Sequence, residues 1–200
     1  MEINNLFNYL TEPYTKDVES GILFSTCYIY TYDIKKEYEV QKEIVDLAGR
    51  LVRPDNYLDS MILNVFDEMI TYLKNQKFLG KPLLDRIIES EDENPQKANE
   101  WMDRTLNDEK FFNFIKDKVE AHFAEQSHLK RIYLLVHGFM ASYPHLRAST
   151  FIKRSENMVD KFTMLIFYPG EYRDGNYILY GDSLFNDDNL YRANWLNQNI

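Results

Sequence analysis

A chain of 200 residues, 44% of them hydrophobic, is long enough to bury about 70% of the surface its unfolded form exposes, so it needs no disulfide or metal to hold a core. Its net charge of −9 opposes non-specific duplex binding, which draws on Lys and Arg neutralising phosphates, and excludes DNA as the expected partner. Residues 1–129 hold 15 Lys/Arg against 25 Asp/Glu, whereas residues 130–200 hold 8 against 7, so the acidity belongs to the first two thirds.

The start, Met1-Glu2-Ile3-Asn4-Asn5, has no basic segment followed by an apolar core, and no apolar run approaches the ~20 residues a membrane span requires. A soluble, cytoplasmic protein with no membrane association is expected. Residues 22–32 are rich in β-branched and aromatic types and predict the first strand. Cys27 lies inside this run, where a lone thiol reads as a small buried hydrophobe in a reducing compartment. After Asp33, a residue type suited to an N-cap, Val40, Ile44, Leu47 and Leu51 recur at steps of four, three and four and predict an amphipathic helix ending near Arg53-Pro54.

Residues 57–63 read as a short strand or turn running into a helix from about 62 to 76. Gly80-Lys81-Pro82 and Asn94-Pro95 each restart a helix, with the acidic stretch from Glu89 to Glu93 read as a solvated loop between them. Phe111, Ile115, Val119 and Phe123 mark a further helix. Ile132 to Val136 is a short, almost wholly apolar run of the kind shown by parallel strands covered on both faces, and His137-Gly138 breaks it. A helix from about 144 to 157, a buried strand from Phe162 to Phe167 ended by Pro169-Gly170, a short strand from Tyr177 to Tyr180 and a closing helix from Asp188 to Asn197 follow. These elements predict a single α/β domain spanning residues 1–200, a three-layer, Rossmann-like sandwich with a mostly parallel central sheet and a helical block over about 62–127 inserted in mid-chain.

Ligands of open α/β sheets gather where the parallel strands end, which points to loops 137–147 and 168–175. Arg147, read in the first turn of a helix opened by Pro144, would set its cation against the positive end of the helix dipole, so it calls for an anion. Asp33, Glu171 and Asp188 are the internal partners expected, and an external phosphate or carboxylate is the alternative. No catalytic set is complete. His137-Gly138 after a buried strand is similar to the oxyanion segment of α/β hydrolases, yet Gly-x-Ser-x-Gly is absent and Ser155 falls in a predicted helix. Neither Gly-x-x-x-x-Gly-Lys-Ser/Thr nor Gly-x-Gly-x-x-Gly occurs, and seven glycines supply a phosphate cradle poorly. His122, His128, His137 and His145 lack metal-ligand spacing, so neither a metal nor another cofactor is expected. Tyr191 and Trp195 lie four apart on the predicted closing helix, where they serve either as a packing pair or, with Arg192, as an exposed anchor.

Several motifs carry more than periodicity: Tyr143-Pro144 with Arg147, Phe167-Tyr168-Pro169-Gly170-Glu171-Tyr172, and Asp188-Asn189-Leu190-Tyr191-Arg192-Ala193. In this order and spacing, and with Ile29 to Asp33 and Leu47 to Leu51 upstream, the chain resembles the BrxB-like family, small proteins encoded in BREX (bacteriophage exclusion) operons. Where the family pattern has two aromatics before the last Arg, this chain has Leu190-Tyr191. The resemblance implies a role in defence against phage beside a large ATPase, an adenine-specific DNA methyltransferase and an alkaline-phosphatase-like protein. It carries over no catalytic residues. The expectation is a non-catalytic adaptor or scaffold. The alternatives are a nucleotide- or phosphate-binding regulatory subunit using the strand-end loops, and a nucleic-acid-binding subunit using Lys130, Arg131, Lys153 and Arg154.

Overall fold

The computed structural model describes residues 3–11, 27–52, 58–124, 131–155, 162–182, 185–187, 193–198 and 200. Helix α1 (Ile3–Thr11) precedes strand β1 (Cys27–Tyr32), which turns through a single 3-10 segment, Ile34–Lys36, into α2 (Glu37–Leu51). Strand β2 (Leu58–Asn64) runs directly into α3 (Val65–Asn75), and a small hairpin of β3 (Lys77–Phe78) and β4 (Lys81–Pro82) leads to α4 (Leu83–Glu93), α5 (Pro95–Leu106) and α6 (Glu109–Phe123). Next come β5 (Arg131–His137), α7 (Phe139–Ser142), α8 (Ala148–Arg154), β6 (Thr163–Arg173), β7 (Asn176–Leu179), β8 (Asn186–Asp187), β9 (Asn194–Trp195) and a 3-10 helix, Leu196–Gln198.

The central sheet has the order β2-β5-β6-β1-β9 with every neighbour parallel, and β7 and β8 extend from β6 as an antiparallel arm. Because side chains alternate across a strand, each strand feeds two cores. Tyr28, Tyr30, Tyr133, Leu135, Leu165 and Phe167 face α1 and α2, while Ile29, Leu134, Val136, Met164 and Ile166 face the helices from α3 to α8. The result is the three-layer α/β sandwich expected, with α2 buried on the predicted stripe of Val40, Ile44, Leu47 and Leu51. Each of those four side chains contributes roughly 1.5–3 kcal/mol by leaving water. Cys27 is buried, and desolvation pushes its thiol up to about 12, which removes it from thiolate chemistry. Among the described residues no helix is long and apolar enough to cross a membrane.

Local caps explain several boundaries. Asn64 accepts from the Phe66 amide at 3.1 Å, Asn94 from Lys97 at 3.1 Å and Asp108 from Lys110 at 2.8 Å, each satisfying an amide that the helix leaves free.

Four expectations need correction. The helix read over 144–157 starts only at Ala148, because Arg147 is extended (φ −96°, ψ 151°) and stands as the N-cap of α8, while the short α7 lies wholly before residue 144. The strand read as ending at Pro169-Gly170 continues to Arg173, since Pro169 is still in register with Tyr32 and Gly170 pairs with Leu179. The described part of the predicted closing helix is β9 and a 3-10 turn, captured by the edge of β1. Glu89 to Glu93 form the end of α4 and not a loop. In addition, Pro82 caps α4 from outside, and the β3–β4 hairpin before it was not foreseen.

Candidate functional site

The parallel strands end together at Tyr32, Asn64 and His137, with Pro169 of β6 level with Tyr32. The exposed Asp33 carboxylate accepts from the Lys35 amide at 3.0 Å and so serves the turn into α2. Glu37, at the start of α2, accepts from the Tyr32 hydroxyl and from Gln41 Nε2, the latter at 2.9 Å. Burial, reinforced by that carboxylate, pushes the Tyr32 phenol upward. His137 is buried and its Nδ1 has no hydrogen-bond partner among the described residues. Desolvation holds the ring below the usual imidazole range, with the Glu37 and Asp67 carboxylates pulling the other way.

The neighbouring wall is aromatic. Tyr143, Tyr180 and Phe185 meet edge to face with centroids 5.6–5.9 Å apart, and the Arg147 guanidinium lies 5.4 Å above the Tyr143 ring. Tyr180 donates its amide to Pro169 O at 3.0 Å and its hydroxyl to Met140 O at 2.9 Å, joining β6 to α7. Tyr168 is fully buried with its hydroxyl unpartnered among the described residues. Burial raises its pKa first, the Asp187 carboxylate adds to the rise, and Arg147 opposes it.

Beyond Pro169, β6 continues as an antiparallel arm paired with β7. An alanine Cβ at Gly170 would sit 2.1 Å from Ile178 O, so the two strands approach as closely as glycine allows. Tyr172 is held between Tyr177 and Trp195, each with ring centroids 4.8 Å away, and Trp195 Nε1 donates to Thr31 Oγ1 at 3.1 Å. Trp195 is thus a packing residue on the β1 edge. Glu171 pairs with Arg173 at 2.8 Å, not with Arg147. Asp33 does not pair with Arg147 either, which has no carboxylate partner among the described residues. Asp188, Tyr191 and Arg192 lie outside the described residues.

The structure therefore brings Arg147, Tyr168, Pro169 and Gly170 to one edge, places Tyr172 and Trp195 in one stack, and leaves Asp33 in a local turn. Sequence reasoning missed Tyr180, Glu37 and the unpartnered His137 Nδ1. The signal for Glu37 was its position four residues after Asp33, where an α2 start returns to Tyr32. Removing the unpaired hydroxyl should help the fold: Tyr168→Phe is expected to raise stability by roughly 1–2 kcal/mol, since a buried donor without an acceptor is more costly than none. A urea midpoint that falls instead would show that the hydroxyl has an acceptor.

Chemically, this edge offers a cation on an aromatic ring and two buried polar atoms, but no nucleophile joined to a base. Among the described residues no serine, threonine or cysteine bonds to a histidine, since His122 and His145 engage Asp59 and Asp103, and no three His, Cys, Asp or Glu converge as a metal site. The molecule is a three-layer α/β protein with an aromatic cluster beside its strand ends. Residues 61–196 match the family model described as BREX protein BrxB, and the chain belongs to that family. It is similar to a BREX protein BrxB from Bacillus cereus (strain H3081.97), at 25% identity over 166 residues that cover 83% of this chain and 80% of the relative. No solved structure matches.

Proposed function

We propose that the protein is a non-catalytic adaptor in BREX defence against phage, docking other proteins of the system. The observation that carries this reading is a stripe of exposed apolar side chains along α2 and its C-cap: Tyr38, Val45 and the C-cap Val52 are 83%, 63% and 49% exposed and lie seven residues apart. Gly49 on the same helix has nothing within 4 Å of where a Cβ would stand, so no contact among the described residues asks for a glycine there. Ala48, Gly49 and Val52 continue into a shallow groove with Met61 and Ile62 of β2.

The partners in this reading are other BREX components, with the alkaline-phosphatase-like protein, the large ATPase and the adenine methyltransferase as the set to test. The tagged chain, co-expressed with those proteins, is expected to retain at least one in stoichiometric amount, and Val45→Glu to weaken that retention tenfold or more while keeping the wild-type circular dichroism. Folded bait that retains none of them would overturn the adaptor reading. The specific support for a phosphate-bearing ligand is Arg147 without a carboxylate partner among the described residues. A melting point raised by millimolar nucleotide, and not raised in Arg147→Glu, would favour that second reading.

A further inference from the structure

Two hairpins of this chain turn with the same backbone. The β6–β7 turn uses Asp174 and Gly175 at φ of 51° and 84°, and the β3–β4 turn uses Leu79 and Gly80 at 51° and 83°. Asp is an ordinary occupant of the left-handed first position, because its short polar side chain bonds locally. Leu is not. Leu79 holds a backbone conformation that Gly, Asn or Asp would hold with less strain, and it is 79% exposed, so neither the turn nor the core accounts for it. Phe78 beside it is 46% exposed and leans on Trp101 of α5 at 5.8 Å.

The tip also reverses the local charge. Residues 69–84 carry three lysines and no acid, in a part of the chain that is otherwise acidic. Lys74 and Lys77 have no carboxylate partner among the described residues, Lys81 pairs with Glu89 at 2.6 Å, and the Lys97 ammonium lies 4.9 Å over the Trp101 ring. Hydrogen bonding to Lys81 holds the Glu89 carboxyl below its usual range. The hairpin is anchored by the Leu83 amide donating to Gln76 O at 2.8 Å, so it presents its tip from a fixed base.

We infer that the β3–β4 hairpin is a docking plug, with Leu79 and Phe78 entering an apolar pocket on a protein partner and Lys74, Lys77 and Lys97 meeting carboxylates around its rim. An apolar anchor in a water-excluded pocket supplies affinity, and the rim charges select the partner and steer its approach. This inference rests on the adaptor reading and names a surface for it. A lipid surface is the competing class. The three cations Lys74, Lys77 and Lys97 are too few for a membrane anchor, since one short apolar element with modest charge binds lipid only marginally.

The decisive variant is Leu79→Gly, which removes the side chain and relieves the backbone. Its melting point is expected to equal or exceed the wild-type value, while capture of a co-expressed BREX protein falls at least tenfold. Lys74→Glu/Lys77→Glu should lower the same capture, more so at low salt. A photo-crosslinking amino acid at position 79 should join a segment of that protein containing Asp or Glu, and one at position 45 should not reach that segment. Leu79→Gly that captures every component at the wild-type level would overturn the plug and leave the adaptor intact. Wild-type bait that captures none would overturn both. Crosslinking to a segment without acids, or Leu79-dependent binding to phosphatidylglycerol vesicles, would overturn the plug as well.

Discussion

Gly138→Ala is expected to destabilise the protein by about 3–5 kcal/mol, read as a lower urea midpoint with an unchanged slope. Two effects combine there. Gly138 sits at φ +95°, which an L side chain resists by roughly 1–2 kcal/mol, and a Cβ would lie 2.1 Å from Asn64 Oδ1 and 3.2 Å from the Phe66 amide nitrogen. Asn64 cannot swing away freely, because its Oδ1 caps α3 through that same amide and its Nδ2 donates to Asp67 at 2.7 Å. The ends of β2 and β5 are thus locked together by a side chain pressed against a glycine. A double-mutant cycle separates the parts. Asn64→Ala alone should lose about 1 kcal/mol with its cap, and the pair should lose about 1–2 kcal/mol less than the sum. Additivity within about 0.5 kcal/mol would mean that the two residues do not touch.

The second large effect is expected at Gly170, where alanine should lose about 2–4 kcal/mol. The obstruction is Ile178 O and its carbon at 2.1 and 3.0 Å, main-chain atoms that have no rotamer to retreat to. The β6–β7 ladder must open to admit the methyl group, which pulls Tyr172 away from Trp195. Tryptophan fluorescence should therefore shift in the folded variant. Gly175→Ala is the natural comparison: it carries the positive φ but meets nothing within 4 Å, so about 1 kcal/mol is expected. Equal losses at the two glycines would contradict the close approach of β6 and β7.

The core of the sheet was legible because burial on both faces leaves its mark in composition. The apolar runs at 132–136 and 162–167 became β5 and the first part of β6, and the stripe of Val40, Ile44, Leu47 and Leu51 became the buried face of α2. The strand-end edge was also legible, since Arg147, Tyr168, Pro169 and Gly170 do meet there. What eluded reading was every place where a tertiary contact overrides a local signal. Pro169-Gly170 looks like a turn, yet a glycine without a Cβ is what lets β7 approach, and proline keeps the carbonyl that accepts from Tyr180. Residues 194–197 have helical spacing, yet the β1 edge offers the Thr31 backbone to Asn197 and the Thr31 hydroxyl to Trp195. The tip at Leu79 was written in Phe78-Leu79-Gly80, two large apolar residues inside a lysine-rich turn, a pattern passed over because turns are normally read for their glycine.

The side chain of Asn197 has one more effect. Its oxygen accepts from the Thr31 amide and its nitrogen donates to the Thr31 carbonyl, both at 2.8 Å, so a primary amide imitates the next residue of a strand just past the two-residue β9. The sheet is stoppered at that end, while its opposite margin is the seven-residue β2. A template with one plugged end can pair once but cannot polymerise. Any sheet-to-sheet joining of two copies through β2 therefore closes at the dimer, because the β1 edge that a third copy would need is already taken by the chain's own β9 and Asn197.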